Sequence, residues 1–97
     1  MPGRLPAQAG LMVGLSMWYV YILKSSRKRW YYVGSTNRLL KRITEHNKGL
    51  VFSTRRFVTL YLVFSKEFDS EKEARMCEKR IKSKRIEKEL IIRNIEN

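Results

Sequence analysis

Two aromatic, β-branched runs, Trp18-Tyr-Val-Tyr-Ile-Leu23 and Trp30-Tyr-Tyr-Val-Gly34, are separated by little more than the polar stretch Ser25-Ser-Arg-Lys-Arg29. Composition alone makes each a strand. A parallel pair would need a crossover of a dozen or more residues, so these two runs can meet only as an antiparallel hairpin. The first run is the more uniformly apolar, which places it centrally in the sheet. Strand side chains alternate, so register decides the face that each phenol takes. The expected register sets Tyr21 opposite Tyr32, Leu23 opposite Trp30 and Tyr19 opposite Gly34, which puts Tyr21 and Tyr32 on one face.

The rest of the chain adds helices to this hairpin. Ser35-Thr36-Asn37 offers N-cap residues for a helix over about 38–47, and Gly49 follows as its stop. Leu50–Arg56 is a basic, hydroxyl-containing loop. Phe57–Phe64 is apolar on both alternating faces and reads as a third strand covered on both sides. Asp69-Ser70 caps a second helix, with Ser70 and Glu73 spaced as a capping box. Its apolar positions are Ala74, Cys77 and Ile81. Ser83 separates it from a third helix holding Ile86, Leu90, Ile91 and Ile95. The order β-β-α-β-α-α predicts an α+β fold, a small three-stranded antiparallel sheet flanked by three helices.

Ninety-seven residues allow one domain, expected over residues 17–97. Residues 1–16 are rich in Gly and Pro and show no sustained period, so they read as a flexible extension. The apolar stretch from Ala9 to Leu23 is too short to cross a membrane and lacks a signal-type cleavage site. One Cys and one His exclude a disulfide framework and a zinc site built from Cys and His alone. The lone thiol fits a reducing, cytoplasmic setting. Lys and Arg number 21 against 9 acids, a net charge of +12. Such a surplus points to a polyanionic partner.

Certain polar residues interrupt apolar faces. In the first helix Leu39, Leu40 and Ile43 define the buried arc, and Arg42 and His46 flank it one turn apart, a pair suited to a phosphate oxygen. Lys41 and Glu45 read as solvent face. Glu78 flanks the core stripe of the second helix, where it either pairs with Lys79, Arg80 or Lys82 on the surface or faces inward as an oxygen ligand for a hard cation. Gly34 lets another chain or ligand approach the second strand closely.

The spaced set Tyr19-Val-Tyr21, Tyr32-Val-Gly34, Arg42 and His46, with the helix Glu78-Lys-Arg-Ile-Lys82, resembles the GIY-YIG nuclease superfamily. The His46-Asn47-x-Gly49 run and the Phe68-Asp69-Ser70 helix start are similar to its small stand-alone bacterial members, the YhbQ-like proteins. Tyr19 stands where the name-giving Gly would be, and Val20 and Val33 replace Ile. Tyr31 beside Tyr32 duplicates the second phenol, and spacing to Gly34 favours Tyr32. The resemblance implies metal-dependent phosphodiester hydrolysis, with Mg²⁺ or Mn²⁺ held by Glu78. It gives Arg42 the phosphate charge, Tyr21 and His46 the activation of water, and Tyr32 the orientation of phosphate or nucleophile. A phenol serves as base only if nearby positive charge lowers its pKa, and Arg42 and the metal are the expected sources.

Basic residues at Arg27, Lys28, Arg29, Arg55, Arg56, Lys79 and Lys82 are the expected nucleic-acid contacts, with DNA favoured over RNA. The chain has no room for an added recognition domain. Specificity is therefore expected from substrate shape, a protein partner or a homodimer. The leading expectation is a structure-directed or weakly sequence-specific nuclease, with repair or recombination as its setting. The alternatives are a non-catalytic nucleic-acid-binding module on the same fold and a peripheral membrane protein.

Overall fold

The computed structural model describes residues 17–96, of which residues 85–87 by backbone alone. The extension over residues 1–16, and Ile86 as a core side chain, lie outside the described residues. The hairpin forms from β1 (Trp18–Ser25) and β2 (Tyr31–Thr36), followed by α1 (Leu39–Asn47), β3 (Leu60–Phe68), α2 (Glu71–Ser83) and α3 (Arg85–Glu96). The sheet order is β2-β1-β3, antiparallel throughout, so the apolar first strand is indeed central. Val20, Tyr21, Ile22 and Leu23 are all at most 1% exposed.

The hairpin register is two residues from the expected one. Tyr21 faces Gly34 and Leu23 faces Tyr32, while Tyr19 faces Thr36. A two-residue shift preserves the face of every side chain, so Tyr21 and Tyr32 still share one. The reason is steric. The Tyr21 ring lies across Gly34, where an added Cβ would come within 2.6 Å of the phenol oxygen. Only a residue without a side chain can stand opposite that ring.

The third strand begins later and runs further than the sequence predicts. Phe57 ends a short 3-10 turn, Arg55–Phe57, and stacks on Trp30 with ring centroids 3.8 Å apart. The Asn47 side chain then pairs with the Leu60 backbone, accepting from its N–H at 2.7 Å and donating to its carbonyl at 3.0 Å. Since β1 extends back to Trp18, its partner must continue to Phe68. This strand is a sheet edge whose two faces enter both cores, Leu60 and Leu62 on one side and Val63 and Phe64 on the other, while Tyr61, Ser65, Lys66 and Glu67 are exposed.

The α1 cap also differs. Arg38 is the N-cap and its side chain makes no capping bond, while Thr36 accepts from the Arg38 N–H at 3.0 Å. The helix stops as expected, with Gly49 at φ 77° and its N–H bonded to the His46 carbonyl. Leu40 is 57% exposed, so the buried arc is Leu39 and His46, with Ile43 packed beside them. In α2 the Ser70 side chain accepts from the Glu73 N–H, and Ala74, Cys77 and Ile81 are buried as expected. Among the described side chains of α3 the buried one is Ile92, with Ile91 packed beside it, while Leu90 faces solvent.

The sheet thus separates two cores. On one face Val20, Ile22, Tyr31 and Val33 pack under Ala74, Cys77, Ile81 and Ile92. On the other Tyr19, Tyr21 and Leu23 pack with Leu39 and Leu60.

Candidate active site

Tyr21, Tyr32 and Gly34 alternate onto the α1 face of the hairpin. One turn of α1 presents Arg42 and His46 to the same face. His46 is fully buried behind Tyr21. Its Nε2 lies 3.0 Å from the Tyr21 hydroxyl, and its Nδ1 lies 2.8 Å from the Thr54 hydroxyl. The Tyr32 ring sits edge-on to the imidazole, with centroids 5.0 Å apart, and 6.3 Å from the Tyr21 ring. Both phenols are therefore gathered around one imidazole.

Glu78 arrives from the opposite side. It stands on α2, which packs on the other face of the sheet, and reaches past the edge strand β2. The Ser35 hydroxyl donates to its Oε1, and the Lys82 ammonium lies 2.7 Å from its Oε2. The carboxylate side chain is only 17% exposed. The expected surface pair does form, and the same carboxylate still turns inward. Ser35 can hold it because alternation sends Ser35 to the face opposite Gly34.

A cleft of about 350 Å³ opens where these groups meet. Its lining includes Tyr21, Tyr32, Gly34, Arg42 and Glu78, and Trp18, Ser35, Asn37, Arg38 and Arg75 complete most of its rim. His46 does not line this cleft itself and lies behind Tyr21 and Tyr32, which do. Tyr31 takes no part: it lies in the other core, and its hydroxyl donates to Glu96 at 2.5 Å.

Charge in the cleft is strongly shaped by burial. Desolvation lowers the His46 pKa to about 4, assisted by the nearby Arg42 cation, so the ring is neutral at pH 7. Desolvation also raises the Tyr21 pKa to about 12, with Tyr32 adding to the shift. Arg42 opposes that rise, as the sequence anticipates, but does not overcome it. The proton of this pair rests on the phenol. Arg42 is steadied by Glu45 at 3.0 Å, so Glu45 is not the plain solvent-face residue expected.

The basic residues expected to contact nucleic acid fall into three groups. Lys79 and Lys82 flank Glu78 on α2, continuous with Arg75. Arg27, Lys28 and Arg29 form the turn at the far end of the hairpin. Arg29 stands five residue steps from Gly34 along the chain, roughly 17 Å at the usual rise. Arg29 is also tied to Glu96 by two 3.0 Å bonds. Arg55 and Arg56 lie in the loop after α1, with Arg55 over the Phe52 ring at 4.7 Å. Of these, the first group adjoins the cleft, through Arg75 and Glu78, which line it.

Ser35, Thr54, Arg38 and Arg75 were not singled out from sequence. Ser35 resembled a helix cap, and Thr54 lies in a loop with no period to orient it. Its strict alternation with Gly34 was the one signal that could have found Ser35.

A cationic cleft around one carboxylate and a phenol–imidazole pair is built to receive an anion such as a phosphate. The chain belongs to the GIY-YIG family: the GIY-YIG catalytic domain matches residues 17–89, most of its length. It is thus a member of a nuclease-type family whose proteins act on nucleic acids. No curated protein and no solved structure matches the chain. Among the described residues no helix is long and apolar enough to cross a membrane.

Proposed function

We propose that the chain is a divalent-metal-dependent nuclease that hydrolyses phosphodiester bonds, preferring DNA to RNA and reading substrate shape more than sequence. The observation that carries this reading is the gathering of Tyr21, Tyr32, Arg42 and Glu78 around one cleft, with His46 behind Tyr21.

The donor set fits a hard cation. Mg²⁺ characteristically takes one or two carboxylates and completes its shell with water and substrate phosphate. Among the described residues Glu78 is the only carboxylate lining the cleft, and no cluster of three metal-binding side chains exists. Glu78 would hold Mg²⁺ or Mn²⁺, which supplies Lewis-acid polarisation of the phosphate.

The chain's own residues do the rest. Arg42 neutralises charge that builds on the phosphate oxygens. Tyr32 orients the phosphate or the attacking water. With its pKa near 12, Tyr21 does not act as a free phenolate. Its oxygen takes a proton from water while its own proton passes to Nε2 of His46. The water oxygen then bonds to phosphorus as the bond to the leaving ester oxygen breaks; that oxygen is protonated from solvent, and His46 returns its extra proton to solvent by way of Tyr21. Lys79, Lys82, Arg75 and Arg38 hold the adjoining phosphates. The loops carrying Arg27–Arg29 and Arg55–Arg56 extend contact along the strand. Target choice rests on substrate shape, a protein partner or a second copy. The buried free thiol of Cys77 fits a cytoplasmic setting.

The test is cleavage of flap, fork, single-stranded and duplex DNA and RNA with Mg²⁺, Mn²⁺ or EDTA, using wild type and Glu78→Gln. Wild type should cut only with metal, and Glu78→Gln should bind nearly as well without cutting. Equal cutting by both would refute the assignment. Binding without cutting by wild type would establish the binding-module alternative.

A further inference from the structure

The relay proposed above works in only one direction: Nε2 of His46 must be free to accept. A neutral imidazole carries one N–H, so the partner at Nδ1 decides whether Nε2 is an acceptor. That partner is Thr54. It is fully buried, 2.8 Å from Nδ1, and lies in the loop between α1 and β3 rather than on any element that lines the cleft.

We propose that Thr54 is a positioning residue for the reaction, which holds His46 in its Nδ1–H tautomer and so leaves Nε2 to receive the Tyr21 proton. The inference rests on the nuclease reading for its consequence, but not for its geometry. The Thr54 hydroxyl is also 3.4 Å from the Val51 carbonyl, toward which it can donate. This gives a chain with a single sense. Tyr21 O–H donates to Nε2, Nδ1–H donates to the Thr54 oxygen, and Thr54 O–H donates to the Val51 carbonyl. All three hydrogens then have acceptors inside the protein. In the reverse sense Thr54 would donate to Nδ1, Nε2–H would donate to Tyr21, and the bond to Val51 would be lost. The Tyr21 proton would have to turn into the cleft, and Nε2 could accept nothing. Burial keeps the resting ring neutral, so before the proton moves it is the tautomer that the protein must set.

The chain contains one histidine, so its ring nitrogens can be read without ambiguity. Long-range ¹H–¹⁵N spectra of the full chain at pH 7 should show Nδ1 protonated and Nε2 unprotonated. Thr54→Val keeps the shape but removes the hydroxyl. It should move the ring toward the Nε2–H form and lower kcat about ten- to hundred-fold, with KM changed less than about two-fold. Thr54→Ser should restore both the spectrum and kcat. An Nε2–H ring in wild type overturns the proposal, as does a Thr54→Val ring indistinguishable from wild type. Should Thr54→Val fail to fold, the wild-type and Thr54→Ser spectra decide. If wild type cuts no substrate, the nuclease reading fails while the spectra still settle what Thr54 does.

Discussion

The two faces of the sheet are made by the same strands and do opposite things. The α2–α3 face carries Val20, Ile22 and Val33 beneath Ala74, Cys77, Ile81 and Ile92. Its buried phenol, Tyr31, is tied off at Glu96. The α1 face carries Tyr21 and Tyr32 and buries His46 and Thr54 among apolar neighbours. One face stabilises by removing apolar surface from water. The other accepts the desolvation of an imidazole and a phenol, offset by hydrogen bonds, and keeps their protons in fixed places. Alternation along a single strand lets one hairpin serve both ends at once.

The contrast is broken most severely at Gly34, where the faces meet. Gly34→Ala would place a methyl 2.6 Å from the Tyr21 oxygen and 3.0 Å from Cε2 of Tyr32. Both rings must move, and displacements of about 1 Å at a reacting centre can cost on the order of a hundred-fold in rate. Cleavage assays should show at least that loss, with a lowered Tm. Near-wild-type cutting would mean that the Tyr21 position is not critical.

Arg42→Ala should lower kcat by about a hundred-fold and KM-type affinity much less, since the guanidinium matters most as charge builds on the phosphate. A loss confined to affinity, and recovered at low salt, would move Arg42 to the general binding surface.

The cost of burying His46 should be visible in stability. Its folded pKa of about 4 lies below the unfolded value of 6.5. The unfolded chain therefore takes up the proton first as pH falls. Stability is fully present above about pH 6.5 and declines toward pH 4, by roughly 3 kcal/mol in all. Denaturant titrations should show a shallower pH slope over this window for His46→Gln, which carries no titrating ring. Equal slopes would show that the ring is better solvated than its burial indicates.

The smallest effect belongs to the packed face. Ile22→Val should cost about 0.5–1.5 kcal/mol of stability and leave the cleavage rate of the folded protein unchanged. A rate change as large as that of Arg42→Ala would dissolve the division between the faces.

Much of this was legible in the sequence because it follows from period. The hairpin, the central first strand and the shared face of Tyr21 and Tyr32 all depend on alternation, and the buried stripe of α2 on helical spacing. The register slipped by two because alternation fixes parity alone, whereas the Tyr21–Gly34 pairing is a matter of ring shape. The start of β3 was displaced because Phe57-Val-Thr looks like strand in composition, while stacking on Trp30 claims Phe57 for another purpose. The exposure of Leu40 and the burial of Ile92 depend on which neighbours a helix meets, which no local pattern contains. The site residues found from sequence sit on periodic elements or in the spaced motif. Thr54 sits on neither.

The bond pair between Asn47 and Leu60 carries a kinetic consequence. With the Ser25 hydroxyl on the Phe57 carbonyl and the Ser26 N–H on the Thr59 carbonyl, it fastens residues 48–59, so the segment bearing Thr54 can open as a unit while β1, hydrogen-bonded on two sides, stays shut. Amide hydrogen exchange should then occur in two tiers. The Leu60 amide should exchange through a local opening of lower free energy, and the amides of Val20–Leu23 only through global unfolding. Each local opening would separate His46 from its Nδ1 partner with the sheet intact, so the fraction of molecules ready to act at any instant depends on how firmly a loop outside the cleft is fastened.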